Sequence, residues 1–312
     1  MNLEELLRHH YRLKATSIRP GPRGFVAETH IVETDGPNYF AKLTPISRYS
    51  ANIEKALPVQ KELHDLGIRQ MSYPMPTTSG ALSVTLDRDI LVVYTFIDGE
   101  QTFDYPLEAY VDLLTHVHRA RITVPAGRET FEDPTLRLFE RQLDQILRGT
   151  FVEPSQQEFH REIRLIEREL EGDLNRYKRL LGELARIDDA PMVVTHNDAP
   201  GNILRDTSGR LYLIDWDDVL LAPPERDTWF HLTTPQAAAA FLPLYQRAFL
   251  NYEVDQRFYA FYLYKRYFED IEGFLGRVLS PDTTAEAKAE SLGYFKNGLA
   301  WVQEPVRELA NA

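Results

Sequence analysis

The 312-residue chain contains no cysteine. This excludes disulfide bridges, thiolate nucleophiles and cysteine-ligated zinc. Long apolar runs are also missing, since the longest, "ILVVYTFI" at residues 90–97, is far too short to cross a bilayer. The N-terminal stretch "MNLEELLRHHYRL" lacks the basic start and continuous apolar segment of a signal peptide. We therefore expect a cytoplasmic protein that does not bind a membrane.

Basic residues are outnumbered, with 35 Lys and Arg against 47 Asp and Glu, which gives a formal net charge of -12. Such a charge disfavours nucleic acid as a partner and favours a cationic small molecule. The 43% hydrophobic content is typical of a globular enzyme. A chain of this length can bury a large core in one domain or in two lobes.

Residues 1–97 are predicted to form a small strand-rich lobe. "FVAETHIVET" and "YFAKLTPI" flank the turn signal "DGPN", and "GALSVTLDRDILVVYTFIDG" predicts a second hairpin. Between them, "SANIEKALPVQKELHDLG" predicts a helix with Ser50 as its N-cap, which Pro58 should kink or split. Helical spacing of apolar residues dominates residues 98–312, which we expect to form a second, larger lobe.

The stretch "VVTHNDAPGNILRDTSGRLYLIDWDD", residues 193–218, carries the clearest functional signal. "MVVT" and "LYLID" resemble strands around a polar loop, and "DTSGR" favours a turn, so the segment predicts a hairpin-like unit. Asp198, Asn202 and Asp215 would then converge where the strands end. Oxygen ligands gathered on one side of a cleft suit a hard cation such as Mg²⁺, whereas isolated Asx turns would explain the same residues without any chemistry.

These features occur in a telling order: a Lys on a strand in "YFAKL", the loop "THNDAPGN", and the strand "LYLIDWDD". In this order the chain resembles the aminoglycoside phosphotransferase and choline kinase superfamily. Within it, "LIDWDDVLLAPPERDTWF" is most similar to the spectinomycin phosphotransferase branch. The resemblance implies an α+β, protein-kinase-like two-lobed fold, with a small antiparallel β lobe carrying one helix and a larger, mainly helical lobe.

The resemblance also implies roles for the residues of the loop and the strand. Asp198 would orient the acceptor hydroxyl and accept its proton, and His196 would brace the loop. Asn202 and Asp215 would hold Mg²⁺ across the phosphates of the nucleotide. Phosphoryl transfer depends mainly on positioning and charge neutralisation, which suits this set of side chains.

The nucleotide site is assigned in the same way. Lys42 would hold the α- and β-phosphates, with Glu54 as its ion-pair partner, although Glu62 lies on the same predicted helix. Adenine would rest against the backbone of Tyr94, Thr95, Phe96 and Ile97. The glycines of "PGPRGFVAET" are a weak match to a phosphate-covering loop, and an ordinary turn explains them equally well. The implied cofactors are ATP, with GTP as an open alternative, and Mg²⁺.

The catalytic loop departs from the family pattern in its length. Four residues separate the catalytic Asp from the metal-binding Asn in that pattern, whereas three separate Asp198 from Asn202. Counted without a gap from Asn202, the base position falls on Asn197, which cannot act as a base. Asp198 is favoured because it preserves the H-x-D spacing from His196 and because Gly201 can absorb a tighter turn.

Softer candidates lie nearby. Asp217 and Asp218 could contact metal, water or a cationic substrate, and Asp270 could line a pocket for an amine. Asp227 in "PERDTWF" resembles the buried Asp that supports the catalytic loop in the superfamily. The helical aromatic stripe is interpreted as core packing, and its members are Phe258, Phe261, Tyr262, Tyr267 and Phe268.

The leading hypothesis is an ATP- and Mg²⁺-dependent phosphotransferase that acts on a hydroxyl of a small molecule, with an aminoglycoside or aminocyclitol such as spectinomycin as the first guess. Choline, homoserine and sugar-type acceptors stay open because a shared fold does not select a substrate. A nucleotide-binding module with impaired catalysis is a second hypothesis. A metal-dependent hydrolase is a third, but it leaves the strand Lys unexplained. The oligomeric state is left open.

Overall fold

The computed structural model describes residues 2–22, 27–47 and 50–311. Residues 23–26, which belong to the glycine-containing loop predicted to cover the phosphates (residues 20–29), lie outside the described ranges. The chain divides into two compact units. The first unit comprises residues 1–128, 191–227 and 244–250, and the second comprises residues 129–190, 228–243 and 251–312. The lobe boundary expected at residue 97 falls inside the first unit and stays a prediction.

The first unit contains an antiparallel five-stranded sheet in the order β1-β2-β3-β5-β4. The strands are β1 (Ser17–Pro20), β2 (Glu28–Glu33), β3 (Tyr39–Pro45), β4 (Val84–Thr85) and β5 (Asp89–Thr95). Both predicted hairpins are confirmed, since β2 pairs with β3 and β4 with β5. The β3–β5 register sets Lys42 opposite Val92 and Phe40 opposite Tyr94. These four side chains share one face because directly opposed residues point to the same side of a sheet.

A helix covers each face of this sheet. Helix α1 (Leu3–Tyr11) buries Leu6 and Leu7 against Val32, Ala41 and other residues of one face. Helix α2 (Ile53–Asp65) buries Ile53 and Leu57 against the face that carries Tyr94. Apolar residues on both faces give the sheet two small cores and a fixed register.

Two details of α2 differ from the prediction. Its N-cap residue is Asn52, because the Ser50 hydroxyl is engaged one turn earlier with Ser47. Pro58 lies inside a single helix and does not split it. Proline removes one helical hydrogen bond, and the buried positions Ala56, Leu57 and Val59 around it offset that loss.

The polar stretch of residues 193–218 folds differently from the hairpin expected. Strand β7 (Val193–Thr195) pairs with β10 (Leu220–Ala222). The hairpin is instead formed by β8 (Ile203–Asp206) and β9 (Leu211–Leu213), and β6 (Gly99–Gln101) extends it on the β8 side. The turn signal "DTSGR" lies at the tip of this hairpin, where Gly209 has φ of 84°. The loop that carries Asp198 and Asn202 leads into β8, and Asp215 follows β9. Because β8 pairs with β9, these residues lie at the same end of the hairpin, as required for convergence.

The remaining chain is helical. The helices are α3 (Leu107–Arg119), α4 (Leu136–Arg148), α5 (Pro154–Leu184), α6 (Glu225–Thr228), α7 (Pro235–Ala248), α8 (Gln256–Leu279), α9 (Ala285–Gly298) and α10 (Ala300–Asn311). The aromatic stripe of α8 is buried, which confirms its interpretation as core packing. Within the described ranges, every helix is too short or too polar to cross a membrane. The observed class is α+β, as predicted.

Candidate active site

Lys42, on the central strand of the first sheet, is held by two carboxylates. Its ammonium Nζ donates to Asp215 Oδ1 at 2.7 Å and to Asp217 Oδ2 at 2.8 Å. The side chains of Lys42 and Asp217 are mostly buried, whereas that of Asp215 is 49% exposed. Burial alone would lower the pKa of Lys42, but the charges of Asp217 and Asp215 outweigh burial and raise it. Lys42 is thus a cation held in a fixed position next to a half-exposed carboxylate.

Asp215 occupies an unusual backbone position. Its φ is 63°, in the left-handed region that residues other than glycine rarely adopt. The next residue anchors the turn, because the Trp216 indole is buried and donates to the Leu213 carbonyl at 2.8 Å. Burial would raise the pKa of Asp215, but Lys42 outweighs it and lowers the pKa, so Asp215 is ionised at neutral pH. Strained backbone of this kind tends to accumulate at functional sites.

The loop after β7 places Asp198 close to Asn202. Residues 199–201 form one turn of 3-10 helix, and the Asn202 side-chain amide donates to the Asp198 backbone carbonyl at 2.9 Å and to Asp198 Oδ2 at 3.2 Å. Pro200 and Gly201 suit such a tight turn, because proline fixes φ and glycine leaves room beside the Asp198 carboxylate. The short spacing is therefore compatible with an exposed carboxylate at residue 198 and an amide beside it.

Two groups brace the loop from behind. His196 Nε2 lies 2.8 Å from the Ile214 carbonyl, and its Nδ1 accepts from the Asp198 amide at 3.3 Å. The buried Asp227 carboxylate accepts from the backbone amides of His196 at 2.7 Å and Asn197 at 2.6 Å. His196 therefore links the loop to the segment that enters Asp215.

The donor set is suited to a divalent cation that is completed by other ligands. The Asn202 amide nitrogen is engaged with Asp198, which leaves the amide oxygen as its acceptor group. Asp215 adds a half-exposed carboxylate. Among the residues described, no three His, Cys, Asp or Glu side chains are grouped so as to hold a metal ion by themselves. Two oxygen donors of this kind match Mg²⁺, which usually keeps water and phosphate oxygens among its ligands.

The backbone expected to hold adenine follows β5. The amide of Thr95 donates to the Tyr73 carbonyl, and the amide of Phe96 donates to the Asn38 carbonyl. Ile97 makes no hydrogen bond to any described residue through its amide. Tyr94 is buried on the face that also carries Lys42, so its side chain packs.

A cavity of about 390 Å³ lies beside this segment. Lys42 and Asp215, the residues expected near the phosphates of the nucleotide, do not line it. Its lining includes residues from the end of α2, residues 95–98 and the tip of the β8–β9 hairpin. Cavity volume alone therefore does not identify the position of a nucleotide.

The pairing expected for Glu54 is corrected by the structure. Its carboxylate accepts from the Thr85 hydroxyl at 2.9 Å, and Asp215 and Asp217 take the place beside Lys42. Glu62 is engaged elsewhere, with Thr123 and Val124. The helix position was right for a residue that faces the sheet, but sequence separation gives no information on which carboxylate reaches the ammonium first.

The three softer candidates lie in different surroundings. Asp217 is committed to Lys42, and burial raises the pKa of its carboxyl. Asp218 Oδ1 accepts from the Asn52 side chain at 3.3 Å. Asp270 belongs to the second unit and pairs with Arg266 at 2.9 Å. Its neighbour Glu269 has a pKa that burial raises to about 7.

The family model for the phosphotransferase enzyme family matches residues 17–262, which include Lys42, the loop of residues 196–202 and Asp215. The chain belongs to this family. Comparison with curated protein sequences gave no match.

Among solved structures, a spectinomycin phosphotransferase crystallised with ADP and spectinomycin matches with a TM-score of 0.80 and 22% identity, over 99% of this chain and 98% of that chain. An amicoumacin kinase in complex with AMP-PNP and Ca²⁺ matches with a TM-score of 0.60 and 14% identity, over 98% and 95%. The choline kinase of Streptococcus pneumoniae matches with 0.54 and 15%, over 99% and 98%. The phosphotransferase family inferred from the motifs is confirmed by the family model, and the likeness to these structures confirms the protein-kinase-like fold. The spectinomycin phosphotransferase branch stays a prediction.

One buried residue near the loop was not recognised in the sequence. His118, on α3, lies 2.9 Å from Asp227 Oδ2 through its Nε2 atom. The sequence "THVHRA" offers two histidines at positions 116 and 118, of which the first is exposed. The apolar positions 114 and 117 of α3 place residue 118 on the buried side of the helix, and that periodicity is the signal that could have identified it.

Proposed function

We propose that this member of the phosphotransferase family transfers the γ-phosphate of ATP to a hydroxyl group of a small molecule, with Mg²⁺ as cofactor. The observation that carries the proposal is the grouping around Lys42. A strand-borne ammonium touches the carboxylate of Asp215, which follows β9, and Asn202, which precedes β8 at the same end of that hairpin, touches Asp198. Phosphoryl transfer requires a fixed cation, metal ligands and a base in such proximity.

Each residue has a role that follows from its charge and from the hydrogen bonds that hold it in place. Lys42 neutralises phosphate oxygens of the nucleotide, and its raised pKa keeps it charged throughout the physiological range. Asp198 accepts the hydrogen bond of the acceptor hydroxyl and takes its proton as the new bond to the γ-phosphorus forms, while the bond from that phosphorus to the β–γ bridging oxygen breaks and ADP leaves. His196 keeps the loop against Ile214.

Mg²⁺ would be held by Asn202 and Asp215 and would neutralise the charge of the phosphate oxygens. Asp217 gives the site a second carboxylate, which stays with Lys42 and adjusts how strongly that ammonium attracts phosphate. Adenine would bind along residues 94–97, where the amide of Ile97 is available as a donor. ATP is the first choice of nucleotide and GTP the alternative. The proposed use of a nucleotide donor supports a cytoplasmic location, which is part of this proposal.

We propose an aminocyclitol or aminoglycoside as the acceptor, ahead of choline-type, homoserine-type and sugar acceptors. Two observations support this order. The net charge of -12 attracts a cationic acceptor, and the solved structure described above with a TM-score of 0.80 is a spectinomycin phosphotransferase. An antibiotic-resistance role would follow only from such an acceptor.

Purified protein incubated with γ-labelled ATP and Mg²⁺ should transfer label to one member of a panel of amino-sugars, aminocyclitols, amino alcohols and neutral sugars. The same panel with the Asp215→Asn variant controls for contaminating kinases. Transfer to a neutral sugar with none to any amine would replace the proposed acceptor class. Release of phosphate from phosphate esters in the absence of ATP would support a hydrolase instead.

A nucleotide-binding module without transfer is the second candidate, because the loop between Asp198 and Asn202 is one residue shorter than the family pattern. This candidate predicts nucleotide binding, measured by calorimetry, with no labelled product from any acceptor. Transfer that depends on Asp198 excludes it.

A further inference from the structure

A buried hydrogen-bond chain reaches the catalytic loop from the side opposite its exposed carboxylate. His118 Nε2 lies 2.9 Å from Asp227 Oδ2, and His118 Nδ1 lies 2.6 Å from the hydroxyl of Tyr245. The exposed fractions of His118, Asp227 and Tyr245 are 3%, 1% and 0%. All three residues belong to the first unit, so this series of hydrogen bonds lies within one compact unit.

The chain ends on a strained piece of backbone. Asn197, whose amide donates to Asp227 Oδ1, has φ of 90°, a conformation that costs on the order of 1–3 kcal/mol for a residue other than glycine. Asp198 follows it directly. The orientation of the Asp198 carboxylate therefore depends on how firmly Asp227 holds the two preceding amides.

The proton arrangement within the chain follows from its donors and acceptors. Burial would raise the pKa of Asp227, but the hydrogen bond from His118 and the charges around the carboxylate together outweigh burial and lower the pKa. An ionised carboxylate only accepts, so His118 Nε2 carries the hydrogen in either charge state of the ring. Asp227 thus receives three donors, from the His196 amide, the Asn197 amide and His118. Without His118, a buried negative charge would keep two backbone amides as its donors.

We propose that His118 is a positioning residue for phosphoryl transfer, which fixes Asp227 and through it the loop that presents Asp198. This inference rests on the proposed function for its kinetic consequence. Tyr245 sets the rotation of the His118 ring and so aims Nε2 at Asp227. The alternative is a buried pair that contributes stability and has no influence on the loop.

Four variants separate these two roles. His118→Leu removes the donor, His118→Gln keeps an amide N–H with similar reach, and His118→Asn keeps the amide but is one carbon shorter. Val117→Ala is the matched control, because it removes buried apolar atoms from the adjacent position of α3 without removing a donor to Asp227. A positioning role predicts a fall in kcat of about 10²-fold for His118→Leu, since small displacements of a reacting group have effects of that size. The KM for ATP should stay within about three-fold, because Lys42 and Asp215 are untouched.

His118→Gln should recover kcat to within about ten-fold of the wild type, and Val117→Ala should retain it. Amide hydrogen exchange of a peptide covering residues 195–202 gives a readout independent of turnover. Exchange should accelerate at least about ten-fold in His118→Leu and stay near the wild-type rate in His118→Gln and Val117→Ala. If His118→Leu does not fold, the comparison between His118→Gln and His118→Asn takes its place, with slow exchange and high kcat expected only for His118→Gln.

The proposal is overturned if His118→Leu loses stability while its kcat and its loop exchange stay at the wild-type level. Equal losses of kcat in His118→Gln and His118→Leu would also overturn it, because the donor would then be irrelevant. A wild-type protein that transfers phosphate to no acceptor contradicts the proposed function alone, and the exchange measurements still decide whether His118 positions the loop.

Discussion

Replacing Asp198 with Asn tests whether the carboxylate of the short loop is the base. The variant keeps the size of the side chain and the 2.9 Å bond from the Asn202 amide to the Asp198 backbone carbonyl. What it weakens is the longer contact of 3.2 Å to Oδ2, worth at most about 1 kcal/mol of the free energy of unfolding at an exposed position. Loss of the proton acceptor should lower kcat by about 10²–10⁴-fold, which corresponds to roughly 2.7–5.5 kcal/mol of transition-state stabilisation.

Asn197→Gly is the matched control in the same loop. Glycine adopts φ near 90° without steric cost, so the substitution relieves strain while it keeps the amide that donates to Asp227. We expect its kcat within about three-fold of the wild type and its free energy of unfolding within about 1 kcal/mol, because relief of strain and added chain entropy nearly cancel.

Steady-state kinetics with the identified acceptor gives kcat and KM for both variants, and calorimetry gives their affinity for ATP with Mg²⁺. Affinity should change little, because Lys42, Asn202 and Asp215 stay in place. A large loss in Asn197→Gly together with wild-type turnover in Asp198→Asn would refute the assignment and favour the ungapped register. Small effects in both would favour the nucleotide-binding module without transfer.

Three further predictions follow from the charges. Asp215→Asn should abolish Mg²⁺-supported transfer with little change in thermal unfolding, and wild-type turnover would remove the kinase assignment. Lys42→Met should raise the KM for ATP at least about ten-fold, and unchanged KM in folded protein would make Lys42 merely structural. Glu269 has a folded pKa of about 7 against an ordinary value of 4.5, so its ionisation destabilises the native state as pH rises through that window. Glu269→Gln should therefore raise the free energy of unfolding at pH 8, by at most about 3 kcal/mol and less with screening of this partly exposed side chain, but hardly at pH 4; equal gains at both would contradict this.

Local patterns in the sequence were sufficient for the first sheet and for the helical remainder. "YFAKL" and "LYLID" alternate or run apolar as strands do, and the order of the Lys, the Asp–Asn loop and the strand Asp identified the family. Pairing between β7 and β10 could not be predicted, because these three-residue strands are 25 residues apart and the turn signal between them, "DTSGR", belongs to the β8–β9 hairpin. The hairpin was consequently placed one strand too early.

The site shows the same division between local and long-range information. Asp198 and Asn202 are four positions apart, so the tight turn that joins them follows from Pro200 and Gly201. The choice of Asp217 in place of Glu54 as a partner of Lys42 depends on how the sheet meets the strand end 175 residues later. The contribution of His118 to Asp227 depends in the same way on the packing of α3, and a single sequence gives no measure of it.

The pairing of Lys42 with two carboxylates links the binding of a cation to the binding of a nucleotide. In the protein alone, the ammonium is already neutralised by Asp215 and Asp217. Under the role proposed for Lys42, these carboxylates compete with phosphate oxygens for the ammonium. A nucleotide without a cation must displace them and meets two negative charges. A cation that draws Asp215 toward itself removes one of the two carboxylates that pair with Lys42. Metal and nucleotide should therefore favour each other's binding. The nucleotide dissociation constant, measured by calorimetry, should therefore fall steeply as free Mg²⁺ rises, and much less so in an Asp217→Asn variant.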